Sequence, residues 1–215
     1  MLSATQIVIL QEQDTRAGHQ APDQSAPPDP ASPTSNAPDW LEAVRRQHRA
    51  NFELWHIEDE ARAPGATDAH LADVKRRVDR CNQRRNDLAE ELDRTLLAWL
   101  EARGLPNPAA PLHSESPGLM IDRLSILALK LYHTREEAER GDAPAGHAQR
   151  NMDRLAILEA QRADLAACLD ALWRETLAGT RRFKLYQQLK MYNDPSLNPA
   201  IYGTSAPAAH SKLPG

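Results

Sequence analysis

The sequence predicts an all-α protein, an antiparallel four-helix bundle built from two duplicated helical hairpins, with a short C-terminal basic helix. Three observations carry this. First, the chain repeats itself at a fixed offset of 77 residues without a gap: LWHIEDEAR around Leu54 answers LYHTREEAE around Leu131, and RRNDLAEELD ending at Asp93 answers QRADLAACLD ending at Asp170. Arg46/Arg123, His56/His133, Arg85/Arg162, Leu92/Leu169 and Asp93/Asp170 coincide at that offset, in order, as a repeated supersecondary unit requires. Second, aromatics make up only 5% of the 215 residues, while Ala, Leu, Arg and Glu, which cost least in a helix, are abundant. Third, apolar residues recur three and four apart over long stretches, with the spacing of a coiled-coil-like seam.

Residues 1–38 are expected to form a disordered arm. Six prolines fall between Pro22 and Pro38, and such a segment buries too little apolar surface to order itself. Within the arm, Ile7-Val8-Ile9-Leu10 is a short apolar patch with no preceding Lys or Arg, so it is not read as a signal peptide. The helical domain is expected over 39–202. Asp39 is suited to cap a first helix running from Trp40 to about Arg62 and stopped by Pro64-Gly65. A second helix runs from about Asp68 to Arg103 on the seam Leu71, Val74, Val78, Cys81, Leu88, Leu92, Leu96 and Trp99, and Gly104 ends it. These two make hairpin one, 40–103. The third helix opens at Pro117 after Ser116 and runs to about Arg140. The fourth, His147 to Ala178, carries Leu155, Leu158, Leu165, Leu169, Leu172 and Thr176, and Gly179 closes it. These make hairpin two, 117–179. A basic helix over 181–192 leads to the turn Asn193-Asp194-Pro195, and 203–215 reads as a disordered tail. Each hairpin has an apolar face it cannot bury alone, which brings the two together as a bundle.

A net charge of −4 argues against a nucleic-acid partner. No run reaches the roughly 18 apolar residues of a membrane span, and the expected location is the cytoplasm. Cys81 and Cys168 lie in separate helices without CxxC spacing and read as buried thiols of a reducing compartment.

Several residues break the apolar pattern and are the candidates for function. Arg85 and Arg162 interrupt the seams of the second and fourth helices, where an unpaired guanidinium would cost several kcal/mol. Each therefore needs a carboxylate or an anion. Asp122 is the expected partner of Arg162, and Arg85 is expected to reach Glu115 or Asp122. With Ser116 at a helix N-terminus, and Asn82 and Asn86 four apart on the second helix, these residues make a candidate pocket for an anionic small molecule. His56 and His133 are equivalent in the repeat, and each shares a helical face with a carboxylate three residues on, Asp59 and Glu136. They are the weak candidates for a metal. Their His-x-x-Asp/Glu order differs from the Glu-x-x-His of carboxylate-bridged bundles, so no metal and no cofactor is assigned. Arg181, Arg182, Lys184 and Lys190, with Tyr192 and Asn193, form a basic-aromatic stretch suited to binding another protein.

The segments HSESPGLMIDRLSILALKLYHTREE, NQRRNDLAEELD and RRFKLYQQLKMYNDPSLNP together resemble a bacterial domain-of-unknown-function family, number four-two-five-four, over roughly residues 40–202. The resemblance implies a helical protein without an assigned activity, whose relatives occur among genes for cell-envelope polysaccharide and glycosyl transfer. The leading expectation is thus a non-catalytic interaction or accessory module. One alternative is an enzyme or binder acting on a phosphorylated or nucleotide-sugar ligand at the Arg/Asp/Glu pocket. Another is a metal-dependent enzyme using His56 and His133.

Overall fold

The computed structural model describes residues 3–20, 40–189 and 196–197. Five helices follow in order: α1 (Ala4–Gln20), α2 (Trp40–Glu60), α3 (Asp68–Glu101), α4 (Pro117–Glu139) and α5 (His147–Leu177). The protein is all-α, and among the described residues no helix is long and apolar enough to cross a membrane.

The four long helices begin and end within three residues of the expected bounds because their stop signals are local chemistry. Thr67 caps α3 by accepting the His70 N–H, and Ser116 caps α4 by accepting that of Leu119. Gly104 and Gly179, both at φ +71, close α3 and α5 in the left-handed conformation that glycine adopts without penalty. After Gly179, the Thr180 N–H returns to the Glu175 carbonyl and the Gly179 N–H to that of Thr176.

α2 and α3 are antiparallel, as the order of their contacts shows. Arg46 Nη1 meets Glu91 at 2.9 Å, Cys81 Sγ meets the Ala50 carbonyl at 3.3 Å, and Arg77 grips Glu60 with two hydrogen bonds at 2.5 and 2.9 Å. α4 and α5 pair the same way, through Arg135–Glu159 at 3.0 Å and Glu137–His147 at 2.7 Å. α4 packs against each of the other four helices. Accordingly it buries residues on several faces, including Met120, Ile121, Leu124, Ala128, Leu129 and Leu131.

Three expectations are corrected. The arm expected over 1–38 contains α1, whose Ala4, Ile7 and Leu10 are buried in the main core with Val44, Ile121, Leu124 and Leu172. Three apolar side chains on one helical face give this segment its burial. Its polar contacts add to this: the Ala4 N–H donates to Asp170 at 2.9 Å, and Glu12 pairs with Arg162. The basic helix expected from residue 181 is instead an extended strap through residue 189. Arg182 pairs by backbone with Pro111 and His113, Phe183 is buried at 2% exposure, and the Gln188 N–H donates to Glu90 of α3 at 2.8 Å, which fixes the chain against the bundle. Cys168, expected to be buried, is exposed on α5, whereas Cys81 is buried. The expectations for 21–39, for Lys190, Tyr192 and Asn193, and for the tail at 203–215 fall outside the described residues.

Candidate metal centre

His19, His56 and His133 come together where α1, α2 and α4 meet. Each offers one ring nitrogen to a common centre, and the three atoms lie within 4.8 Å of one another. The His56 and His133 ring centroids are 6.0 Å apart, and His19 lies 5.1 Å from the first and 4.9 Å from the second. All three Nε2 atoms are buried and have no hydrogen-bond partner in the protein. An orphaned buried polar atom costs about 1–3 kcal/mol, and three close together are placed to share one partner.

The helices share one register. Ile7, Val44 and Ile121 each lie twelve residues before a centre histidine, Leu10, Gln47 and Leu124 nine before, and Gln11, His48 and Ser125 eight before. All nine are buried. α1, α2 and α4 therefore stack matched layers, and the histidines form the layer above them. Contacts climb in the same order along all three: the Gln11 amide donates to the Ile121 carbonyl at 3.2 Å, and Thr15 bonds His48 at 3.0 Å before the histidines meet.

Two of the rings are oriented through their other nitrogen. His19 Nδ1–H donates to the Thr15 carbonyl at 2.7 Å, and His133 Nδ1–H donates to Glu136 at 2.9 Å. This tautomer leaves the Nε2 lone pair facing the centre, an arrangement typical of metal-bound imidazole. Burial, reinforced by His19 and His133, lowers the pKa of His56, so the ring is neutral near pH 7. Aromatic walls hold the cluster. Tyr132 stacks on His19 at 4.2 Å, Trp55 on His133 at 4.9 Å, and Phe52 meets His56 edge-on at 4.5 Å.

Three imidazole nitrogens are a donor set for zinc, copper, nickel or cobalt in the divalent state. Donor atoms around a tetrahedral zinc sit roughly 3.3 Å apart, and ring adjustments of about 1 Å would close this set. The carboxylates proposed beside the histidines do not join it. Glu136 serves the ring of His133, and Asp59 is exposed and pairs with Arg62 at 3.5 Å.

Below the centre lies a buried polar chain. The Thr15 hydroxyl donates to the Gln11 carbonyl at 2.7 Å, so its oxygen accepts from His48 Nε2–H. His48 Nδ1 then accepts from the Ser125 hydroxyl at 2.7 Å, and Ser125 accepts from Asn51 at 2.9 Å. Asn51 and Gln47 both donate to Asp122, which Arg85 approaches at 3.7 Å. Burial pulls the His48 pKa down to about 4.

The anion-site candidates do not form one pocket. Arg85 does pair with Asp122, but Arg162 pairs with Glu12 of α1 and not with Asp122. The cause is α1 itself, which packs beside α5 and brings Glu12 to Arg162. Glu115 is held by Arg123 at 2.9 and 3.0 Å, and Ser116 is a fully buried cap. The N-terminus of α4 already has its anion, because the Asp93 carboxylate accepts the Gly118 N–H at 2.7 Å. Asn86 is buried in α3 and Asn82 half-buried beside it. A groove of about 760 Å³ between α4 and α5 includes Glu115 with Arg123, Lys130 and Cys168, and none of the other candidates. Of the partner-binding residues, Arg181 bonds Glu175 at 3.0 Å and Arg182 bonds the Ala110 carbonyl at 2.8 Å, whereas Lys184 is exposed.

The family model described as "Protein of unknown function (DUF4254)" matches residues 41–185, more than half of the chain. That span carries His56 and His133 but not α1 with His19. No curated protein matches the chain, and no solved structure does.

Proposed function

We propose that this chain, which belongs to the DUF4254 family of proteins of unknown function, is a metal-dependent protein whose divalent ion, of the zinc class, is held by His19, His56 and His133. The observation that carries this is the convergence of three buried, unpartnered Nε2 atoms, two of them on rings oriented from behind by Thr15 and Glu136. Three protein ligands leave a fourth position for water or substrate, the arrangement of catalytic zinc sites rather than closed structural ones. An ion there would supply a Lewis acid and an activated water. The chain's own part is to hold three imidazoles among Phe52, Trp55 and Tyr132.

The test is metal stoichiometry. Protein purified without chelator and analysed for transition metals, or dialysed against zinc, should hold about one ion per chain, and His56→Ala or His133→Ala should hold almost none. Wild-type protein that stays metal-free in micromolar zinc would sink the proposal.

The accessory-module and phosphorylated-ligand readings have less geometric support. Arg85, Arg162, Arg181 and Arg182 each spend charge or hydrogen bonds on this chain's own acceptors. A cytoplasmic accessory role in cell-envelope polysaccharide assembly would then rest on the exposed face around Lys184.

A further inference from the structure

We infer that the C-terminal half of α1, Gln11–Gln20, is a latch that the metal closes: ion binding at His19, His56 and His133 fastens it, through its own Thr15, over the buried pair His48 and Ser125. This rests on the metal reading and adds how the site is assembled and regulated.

The argument begins with how unevenly α1 is anchored. Its fully buried apolar residues, Ala4, Ile7 and Leu10, all lie in the first two turns. There the Ala4 N–H is also held by Asp170 at 2.9 Å. Beyond Leu10, the residues facing the bundle are Gln11, Thr15, Gly18 and His19, none of them a large apolar group, and the remaining anchors are ion pairs, Glu12 with Arg162 and Asp14 with Arg45 at 3.7 Å. Gln11 and Thr15 contribute hydrogen bonds, each worth about 1 kcal/mol net, against the 1.5–3 kcal/mol of a buried Leu or Ile. Gly18 contributes closeness rather than grip: a Cβ there would lie 2.7 Å from the Phe52 ring, so the backbone approaches only because the side chain is absent.

At the end of this half, held by polar contacts rather than apolar burial, stands His19, bonded to the Thr15 carbonyl and stacked on Tyr132. The other two donors are on α2 and α4. An ion bound to all three therefore ties the loose end of α1 to the middle of the bundle. Within the protein itself, the three facing imidazole nitrogens have no hydrogen-bond partner. A ligand that binds only the closed arrangement must favour closing by its full binding energy. By reciprocity, closing α1 must raise the affinity of the site.

Hydrogen exchange of full-length protein with and without zinc tests this, with zinc binding measured in parallel by equilibrium dialysis. Zinc should slow exchange of the amides of Gln11–Gln20 by about tenfold or more, with little change in Ala4–Leu10. His19→Ala should abolish the slowing while leaving the Ala4–Leu10 amides protected, which shows that the variant still folds. If zinc binds and the Gln11–Gln20 amides exchange at the same rate, the latch is overturned and the metal centre stands. If zinc does not bind at all, both fall.

Discussion

Two buried titratable residues pull the acid stability of this protein in opposite directions. Burial lowers the His48 pKa to about 4 from an ordinary 6.5. Across that window the unfolded chain binds a proton that the folded chain refuses, so His48 costs stability as pH falls. Burial raises Asp93 from 3.8 to about 6, against the hydrogen bonds from Ser116 and the Gly118 N–H. Between those values the folded chain holds a proton that the unfolded chain has released, so Asp93 returns stability as pH falls. The two contributions nearly cancel in wild type. Asp93→Asn keeps an acceptor for Gly118 and removes the compensating titration. Denaturant titrations from about pH 7 to about pH 4.5 should show the variant losing roughly 2 kcal/mol more than wild type, and parallel curves would refute the assignment. Gly118 itself is required for close approach. A Cβ there would lie 2.3 Å from the Ala89 carbonyl oxygen and 2.9 Å from Asp93 Cγ. Gly118→Ala should therefore lower the unfolding free energy by about 2–3 kcal/mol, and an unchanged denaturation midpoint would contradict this packing.

At the scale of elements, the long helices were legible in the sequence because capping and stopping are local: Ser116, Pro117, Gly104 and Gly179 each do in the structure what their type dictates. What was not legible depends on long-range contacts. The strap at 181–189 has the spacing of a basic helix but is held out of one by backbone bonds to Pro111 and His113, some seventy residues away in sequence, and by the burial of its own Phe183 in the core. α1 was hidden by its proline-rich neighbour, which made residues 1–38 read as one disordered segment. The signal that could have found it is internal: His19 stands fifteen residues after Ala4, as His133 does after Gly118, with Ile7 and Leu10 matching Ile121 and Leu124. Both starting amides are taken by aspartates at equivalent places in the repeat, Asp170 for Ala4 and Asp93 for Gly118. α1 thus sits on α5 much as α4 sits on α3. If it is part of the core, Ile7→Ala should cost about 2–4 kcal/mol, as for other buried Ile-to-Ala changes. Ile9→Ala, at a position 48% exposed on the same helix, should cost little. Equal, negligible effects in thermal unfolding would mean that α1 does not pack.

For the whole molecule, an ion held at the proposed centre would couple metal and fold through three separate stretches of chain. His56 and His133 were legible as a pair, but the sequence alone paired each with its own carboxylate, and the third ligand lay in a segment read as disordered. Their meeting depends on the shared register of α1, α2 and α4, in which three matched, buried layers place one histidine from each helix at the same height. An ion bound only by this folded arrangement stabilises the protein by about 2.7 kcal/mol at a hundredfold excess over its dissociation constant. In a domain of this size, each kcal/mol moves the melting temperature by about 2–4 °C, so zinc should raise Tm by roughly 5–10 °C. His19→Ala, His56→Ala and His133→Ala should each abolish most of that rise, because two imidazoles cannot hold the ion comparably. His113→Ala and His147→Ala should keep it, since His113 bonds the Glu115 backbone and His147 bonds Glu137, both away from the centre. A zinc-dependent rise that survives loss of any one of the three central histidines would place the ion elsewhere. A rise lost in all three variants and retained in both controls would tie the stability of the bundle to the one point where its three parallel helices converge.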